Sequence, residues 1–149
     1  MAFSVKAHQY AGDARVPFAF GGSGSGHVRI EADWSASEVA TAAGSQKIWK
    51  AAKNCYLKNF GLRVPVMDSH ATPTLEWDVG STDGGAEFIT TASTTVGEVG
   101  GYRVINIPDE STVAGTYMAA GGIIYLTNQT KAATGVAGTV EVAFDVTYI

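Results

Sequence analysis

Every second residue from 140 to 148 is apolar, and this regular alternation constrains the fold more than any other feature of the sequence. The apolar positions are Val140, Val142, Phe144, Val146 and Tyr148. Because successive side chains of a β-strand point to opposite faces, a period of two predicts a strand with one face on a core. Residues 27–34 alternate in the same way. Their apolar positions are Val28, Ile30, Ala32 and Trp34.

Shorter apolar runs predict further strands, which lie at residues 62–67, 74–79, 102–107 and 123–126. The run at 123–126 is apolar at every position, which indicates a strand buried on both faces. Glycine-containing turn segments separate the runs, at residues 21–26, 80–85, 97–101, 121–122 and 135–138. Turn signals at this spacing are typical of an antiparallel sandwich or barrel and not of βαβ units, so the sequence predicts an all-β fold.

Residues 45–61 allow two interpretations. Ser45 as an N-cap and Gly61 just past the last turn would frame a helix with aromatic residues at nearly helical spacing. The same segment also reads as two strands, at 47–51 and 55–66, joined by a turn at 52–54. Periodicity alone slightly favours the helix.

The first 26 residues differ from the rest of the chain. They contain few long alternations and end in the Gly–Ser segment 21–26, which is flexible by composition. Their aromatic residues are Phe3, Tyr10, Phe18 and Phe20. An arm joined by a linker and a hairpin with a loose loop are both open, and the predicted organisation is an N-terminal segment 1–26 followed by a β-sandwich domain 27–149.

Charge and hydropathy exclude two classes of partner. The formal net charge is −4, whereas nucleic-acid-binding modules normally present a basic patch, so no nucleic-acid partner is expected. The densest basic stretch contains Lys47, Lys50, Lys53 and Lys58, which we interpret as a solvated face or a subunit contact. No apolar run approaches the ~20 residues that a membrane-spanning helix needs, and the N-terminus lacks the layout of a signal peptide, so no membrane association is expected.

The residues with reactive side chains form no recognisable catalytic or metal-binding motif. The histidines His8, His27 and His70 have no metal-type spacing, and Asp68-Ser69-His70 has the residue types of a hydrolase triad but not its usual separation. Residues 78–85 could form a calcium-binding loop, but a glycine-containing turn is the better interpretation of this segment. Cys55 is expected to be a buried thiol, and the sequon at 128–130 is attributed to chance. We expect no enzyme activity, no cofactor and no metal.

Two stretches carry motifs in a distinctive order. One runs from Leu62-Arg-Val-Pro-Val-Met-Asp-Ser through Thr74-Leu-Glu-Trp-Asp-Val-Gly80 to Phe88-Ile89, and the other is Ala137-Gly-Thr-Val-Glu-Val-Ala-Phe-Asp-Val-Thr-Tyr148. This order resembles that of small jelly-roll proteins encoded beside capsid genes in tailed bacteriophages. The resemblance implies a jelly-roll-like antiparallel β-sandwich, strands at 47–51 and 55–66 in place of the helix, a β-bulge near Asn59 and Phe60, and a penultimate strand at 121–126.

The resemblance also implies a function. Such proteins decorate, or cement, the capsid surface, so the implied role is a virion structural protein assembled in the host cytoplasm, with the major capsid protein and two further copies of itself as partners. The segments that lie outside the resemblance are those where a contact specific to one capsid could have been added. These candidate capsid or subunit contacts are Phe3, Tyr10, Phe18, Phe20, Lys47, Trp49 and Lys50.

Two alternatives from other classes remain open. A carbohydrate- or receptor-binding sandwich of a phage fibre or tail would expose aromatic residues in a groove, with Trp34, Trp49, Trp77, Tyr102, Tyr117, Tyr125 and Tyr148 as the available aromatics. The alternation around Trp77, however, predicts that its side chain faces the core. A glycan hydrolase would need two carboxylates about 5–10 Å apart in a cleft.

Overall fold

The computed structural model describes residues 4–5, 24–89, 103–107 and 116–149, with side chains over 26–89 and 116–149. Its strands are β1 (Ser4–Val5), β2 (Gly24–Trp34), β3 (Ser45–Lys50), β4 (Cys55–Val64), β5 (Glu76–Gly80), β6 (Arg103–Ile107), β7 (Thr116–Met118), β8 (Ile123–Thr130) and β9 (Gly138–Tyr148). A single helical turn, α1 (Ala36–Val39), lies between β2 and β3. Among the described residues, no helix has both the length and the apolar character that a membrane crossing requires.

The strands form two antiparallel sheets that pack as a sandwich, which confirms the predicted fold class. The large sheet has the order β1-β2-β9-β4-β6, with β7 also pairing with β4. The small sheet has the order β3-β8-β5. The two longest strands, β2 and β9, pair along their full length of 11 residues, from Gly24 opposite Tyr148 to Trp34 opposite Gly138.

The core lies between the two sheets and follows the predicted alternation. Its members on β9 are Val140, Val142, Phe144, Val146 and Tyr148, and those on β2 are Val28, Ile30, Ala32 and Trp34. Two aromatic pairs join the sheets edge to face. Trp34 of the large sheet contacts Trp77 of the small sheet with ring centroids 4.9 Å apart, and Trp49 of the small sheet contacts Phe144 of the large sheet at 5.1 Å.

The segment that allowed two interpretations forms strands β3 and β4, separated by a turn at 52–54. The strand interpretation is therefore confirmed. Pairing decides it, because β4 lies between β9 and β6, where its backbone groups are paired on both sides. The predicted bulge is also confirmed: the register between β4 and β9 shifts between Lys58 and Gly61, and Asn59 there adopts φ of 56°.

Two predicted details differ from the structure. Strand β8 is fully buried on one face only, because Ile124 and Leu126 are inaccessible whereas Ile123 and Tyr125 are half-buried. The helical turn α1 was not predicted, although Ser35 and Glu38 form a capping box at its start.

The N-terminal region is described only in part. Ser4 and Val5 pair with Asp33 and Ala32 at the end of β2, and β2 itself begins at Gly24, inside the Gly–Ser segment. The division into an N-terminal segment 1–26 and a domain 27–149 stays a prediction.

Asp68 joins the loop after β4 to the loop before β9. Its buried carboxylate accepts backbone N–H hydrogen bonds from His70, Thr74, Leu75, Ala133 and Thr134. Burial on its own would raise the pKa of Asp68, but the backbone donors outweigh it and lower the pKa to about 2.

Candidate interaction surfaces

The predicted contact residues fall into three groups. Lys47 and Lys50 are exposed on β3, whereas Trp49 between them is only 1% exposed and packs on Phe144. The side chain of Trp49 therefore belongs to the core and not to the described surface. Phe3, Tyr10, Phe18 and Phe20 lie outside the described residues.

A β-bulge determines how β3 presents its lysines. Lys47 lies opposite Tyr125 on β8, and Lys50 lies opposite Ile123, with a register shift between Lys47 and Trp49. The shift adds one residue to β3, so Ile48 and Trp49 are both buried while the two lysines are both exposed. We call the surface formed by Lys47, Lys50, Ile123 and Tyr125 the lysine strip.

The second surface is an open groove on the outer face of the large sheet, which the sequence did not indicate. Its volume is about 390 Å³. Its floor includes Gly61 and Ala143, which lie directly opposite each other on β4 and β9 and have no bulky side chains. The other lining residues are His27, Arg29, Asn59, Leu62, Arg63 and Glu141. We call this surface the polar groove.

Opposite charges are paired within the polar groove. One terminal nitrogen of Arg29 donates to both carboxylate oxygens of Glu141, at 2.8 and 2.9 Å. The hydrogen bond and the charge of Glu141 raise the pKa of Arg29. Both residues lie on the outward face, so this pair organises the surface more than it stabilises the fold.

Asp145 is held on both sides at the edge of the groove. Nδ1 of His27 lies 2.8 Å from Oδ1 of Asp145, and the side-chain amide of Asn59 donates to Oδ2 at 2.8 Å. Partial burial would raise the pKa of Asp145, but the hydrogen bonds from Asn59 and His27, and the charges of His27 and Lys58, lower it. The bulge places Asn59 for this contact. His27 is exposed, as its position on the polar face predicts.

Two carboxylates at the polar groove are bonded to neighbouring side chains. Glu141 is bonded to Arg29 of β2, and Asp145 is bonded to Asn59 of β4. These bonds hold both carboxylates in the surface structure of the large sheet.

The two segments with catalytic or metal-binding residue types, 68–70 and 78–85, take part in hydrogen bonds that hold their loops in place. The ring of His70 interacts with the backbone of Thr72, while its backbone N–H binds Asp68. In the loop after β5, the carboxylate of Glu87 accepts from the N–H of Ser81 and the hydroxyl of Thr82, both at 3.0 Å, and Gly84 adopts φ of 74°. Among the described residues, no group of three or more His, Cys, Asp or Glu side chains could hold a metal ion.

Most of the tryptophan and tyrosine side chains that the structure describes are buried or partly buried. Trp34, Trp49, Trp77 and Tyr148 are buried, and the core position of Trp77 confirms the prediction made from its alternation. Tyr117 is 51% exposed and packs edge to face on Tyr56. Tyr125 is half-buried in the lysine strip, and Tyr102 lies outside the described residues.

Asn128 and Cys55 also serve the fold. The amide of Asn128, in the sequon, is buried: its oxygen accepts from the N–H of Gly44 at 2.7 Å, and its nitrogen donates to backbone carbonyls around α1. Cys55 is buried as predicted, and burial raises the pKa of its thiol to about 11.

Comparison with solved structures finds a chain of similar fold. No protein-family profile matches the sequence, and no curated protein matches it. Among solved structures, the fold is similar to a chain of the cyanophage Pam1 capsid asymmetric unit, with a TM-score of 0.50 and 14% sequence identity. The match covers 85% of this chain and 84% of that chain. At this identity the likeness is one of architecture, and it extends over most of both chains.

Proposed function

We propose that the chain is a virion structural protein that decorates the capsid of a tailed bacteriophage. The observation that carries this proposal is the shared architecture with a chain of the cyanophage Pam1 capsid asymmetric unit, over 85% of this chain and 84% of the other. Support also comes from the sequence motifs at 62–89 and 137–148, which resemble those of small jelly-roll capsid proteins.

The physical properties of the sandwich suit this role. The edge-to-face contacts of Trp34 with Trp77 and of Trp49 with Phe144 hold the two sheets together. A close-packed core of this kind resists deformation. A decoration protein needs a rigid body with surfaces complementary to its neighbours, and it acts through binding energy alone.

The finer part of the proposal concerns assembly. We expect three copies to form a trimer seated on the capsid surface, with the major capsid protein as the partner. Light scattering tests the trimer in solution, where it would have three times the 15.5 kDa mass of the chain. The trimer would be contradicted if light scattering gave the mass of one chain in solution and also showed only one chain bound to each isolated capsid subunit.

Capsid binding is the direct test of the function. Capsids assembled from the major capsid protein of the same genome, without this chain, are mixed with purified protein and sedimented. Saturable co-sedimentation, with capsids that survive a higher temperature, is the expected result. Capsids of an unrelated phage are the control. No binding over a wide range of protein concentrations would overturn the proposal.

A second candidate is a carbohydrate- or receptor-binding domain of a phage fibre or tail, which the polar groove favours. The groove presents side-chain donors of Arg29, Asn59 and Arg63 above a floor without bulky side chains, and polar groups of this kind orient sugar hydroxyls. A glycan array tests it. Ala143→Trp would fill the floor and abolish sugar binding, whereas Ala137→Trp, at an exposed loop position, would leave it unchanged. Capsid binding that survives Ala143→Trp would favour the first candidate.

A further inference from the structure

The lysine strip exists because of the β-bulge in β3. In a regular strand, residues 47 and 50 would face opposite sides, since side chains alternate with a period of two. The register shift places Lys47 opposite Tyr125 and Lys50 opposite Ile123. Because Tyr125 and Ile123 are two residues apart on β8, they share a face, and the two lysines therefore share it as well.

The bulge also allows β3 to bury two adjacent apolar side chains in the core. Ile48 and Trp49 are adjacent in sequence, yet both are buried. Without the extra residue, one of them would face solvent and one lysine would face the core. The local geometry thus keeps two large apolar side chains inside and two cations together outside.

The charge of the strip has no direct partner among the side chains that the structure describes. Within residues 26–89 and 116–149, neither Lys47 nor Lys50 forms an ion pair or a side-chain hydrogen bond. In the polar groove, by contrast, Arg29 is paired with Glu141. A local excess of positive charge on a chain with a net charge of −4 creates a field that attracts an acidic surface and orients its approach.

The strip also offers apolar area between its charges. Tyr125 and Ile123 are half-buried on β8 and lie beside the lysines. An incoming surface that covers them would remove apolar area from water, while its carboxylates would meet the ammonium groups. This mixture fits a folded protein surface better than a nucleic acid, because two lysines on an acidic chain neutralise few phosphates.

We propose that the lysine strip is the surface through which the chain docks onto an acidic patch of the capsid protein. This inference rests on the proposed function, and it names the contact face and the chemistry of its partner. Lysines on an edge strand can also prevent unwanted strand pairing, and the test separates the two roles.

The experiment compares charge reversals of equal size. Lys47→Glu, Lys50→Glu and the double variant are measured against Lys131→Glu, which changes an exposed lysine in the loop after β8. All variants are first checked for unchanged thermal unfolding and oligomeric mass. In co-sedimentation with capsids, we expect the double reversal to weaken binding roughly tenfold or more, and Lys131→Glu to change it less than about twofold. Raising the salt concentration should weaken wild-type binding more than binding of the double variant.

Each outcome has a distinct meaning. If wild-type protein binds capsids and the double variant binds equally well, the docking surface is overturned while the proposed function stands. If wild-type protein does not bind capsids at all, the proposed function fails and the docking surface with it. Self-association of the double variant without loss of capsid binding would assign the lysines to edge protection. Lysine-dependent binding of a fluorescent DNA oligonucleotide in place of capsids would assign them to a polyanion. Both of these results would overturn the proposal.

Discussion

Asp68 and Thr134 lie 66 residues apart in the sequence and are joined by a 3.0 Å hydrogen bond from the Thr134 backbone N–H to the Asp68 carboxylate. The neighbouring Ser69 N–H donates to the carbonyl of Thr134, also at 3.0 Å. One buried carboxylate thereby ties the loop after β4 to the loop before β9, and two predictions concern it.

Replacing Asp68 with Asn should lower the free energy of unfolding by about 2–4 kcal/mol. An amide has one acceptor oxygen where the carboxylate has two, and its NH₂ group would face backbone N–H donors. Urea unfolding measures the change. Asp83→Asn makes the same substitution at an exposed turn position and should stay within about 0.5 kcal/mol of wild type. Equal midpoints for the two variants would mean that the carboxylate does not hold the loops.

Asp68 should also contribute to the pH dependence of stability. Its pKa is lowered from 3.8 to about 2 in the folded chain, so its stabilising contribution is complete above pH 3.8 and is lost as the pH falls towards 2. The difference corresponds to about 2 kcal/mol. Unfolding free energies measured between about pH 5 and about pH 2 should therefore fall less steeply in Asp68→Asn than in wild type. Parallel curves would contradict the prediction.

Asn128→Asp should destabilise the chain by about 2–4 kcal/mol. The side-chain nitrogen of Asn128 donates to the carbonyls of Glu38 and Thr41 at 3.2 and 2.9 Å, and a carboxylate there would place negative charge against those oxygens. Gln129→Glu adds the same charge at the adjacent exposed position and is the matched control. Thermal unfolding of both variants at neutral pH tests the difference, and a similar loss in each would point to net charge as the cause.

At the bulge residue Asn59, the glycine variant should be more stable than the alanine variant, which reverses the usual order of stability. Asn59 adopts φ of 56°, a conformation that costs a residue with a Cβ roughly 1–2 kcal/mol, whereas glycine adopts it readily. Both substitutions lose the hydrogen bond to Asp145, so Asn59→Gly should be the more stable of the two. At Lys58, where φ is not positive, alanine should be the more stable. Chemical unfolding of the four variants measures both orders, and alanine above glycine at both sites would refute the prediction.

Trp49→Ala should reduce stability by about 3–5 kcal/mol. The Trp49 ring is buried against Phe144, whereas the neighbouring Lys50 side chain is exposed. Lys50→Ala should therefore stay within about 0.5 kcal/mol of wild type. Any loss of capsid binding in Trp49→Ala should follow its loss of folded protein, which circular dichroism at the assay temperature reports. Full stability in Trp49→Ala would instead place the ring at a contact.

The elements that sequence analysis predicted are those with strong local periodicity. Residues 140–148 and 27–34 lie within β9 and β2, and the inward side chains are the predicted ones. Periodicity could not decide between a helix and strands at 45–61, because the bulges in β3 and β4 disturb the period of two. The strand prediction there depended on the resemblance to jelly-roll proteins. The turn α1 was missed although its Ser35–Glu38 capping box is visible in the sequence.

The polar groove had no signal in the sequence. It unites His27 with Asp145, and Arg29 with Glu141, residues 118 and 112 positions apart. Their meeting depends on the full-length register between β2 and β9, and the recess depends on Gly61 lying opposite Ala143.

For β2 and β9, the sequence by itself determined which side chains face the core, because the alternation of a regular strand is a property of neighbouring residues. Only the tertiary structure decided which outward side chains meet. Strand register and bulges set those contacts, and they arise from pairing between segments far apart in the chain. Trp49 and its lysine neighbours show both effects: composition marked the segment as a contact, and a single bulged residue placed the ring inside and both charges on one face.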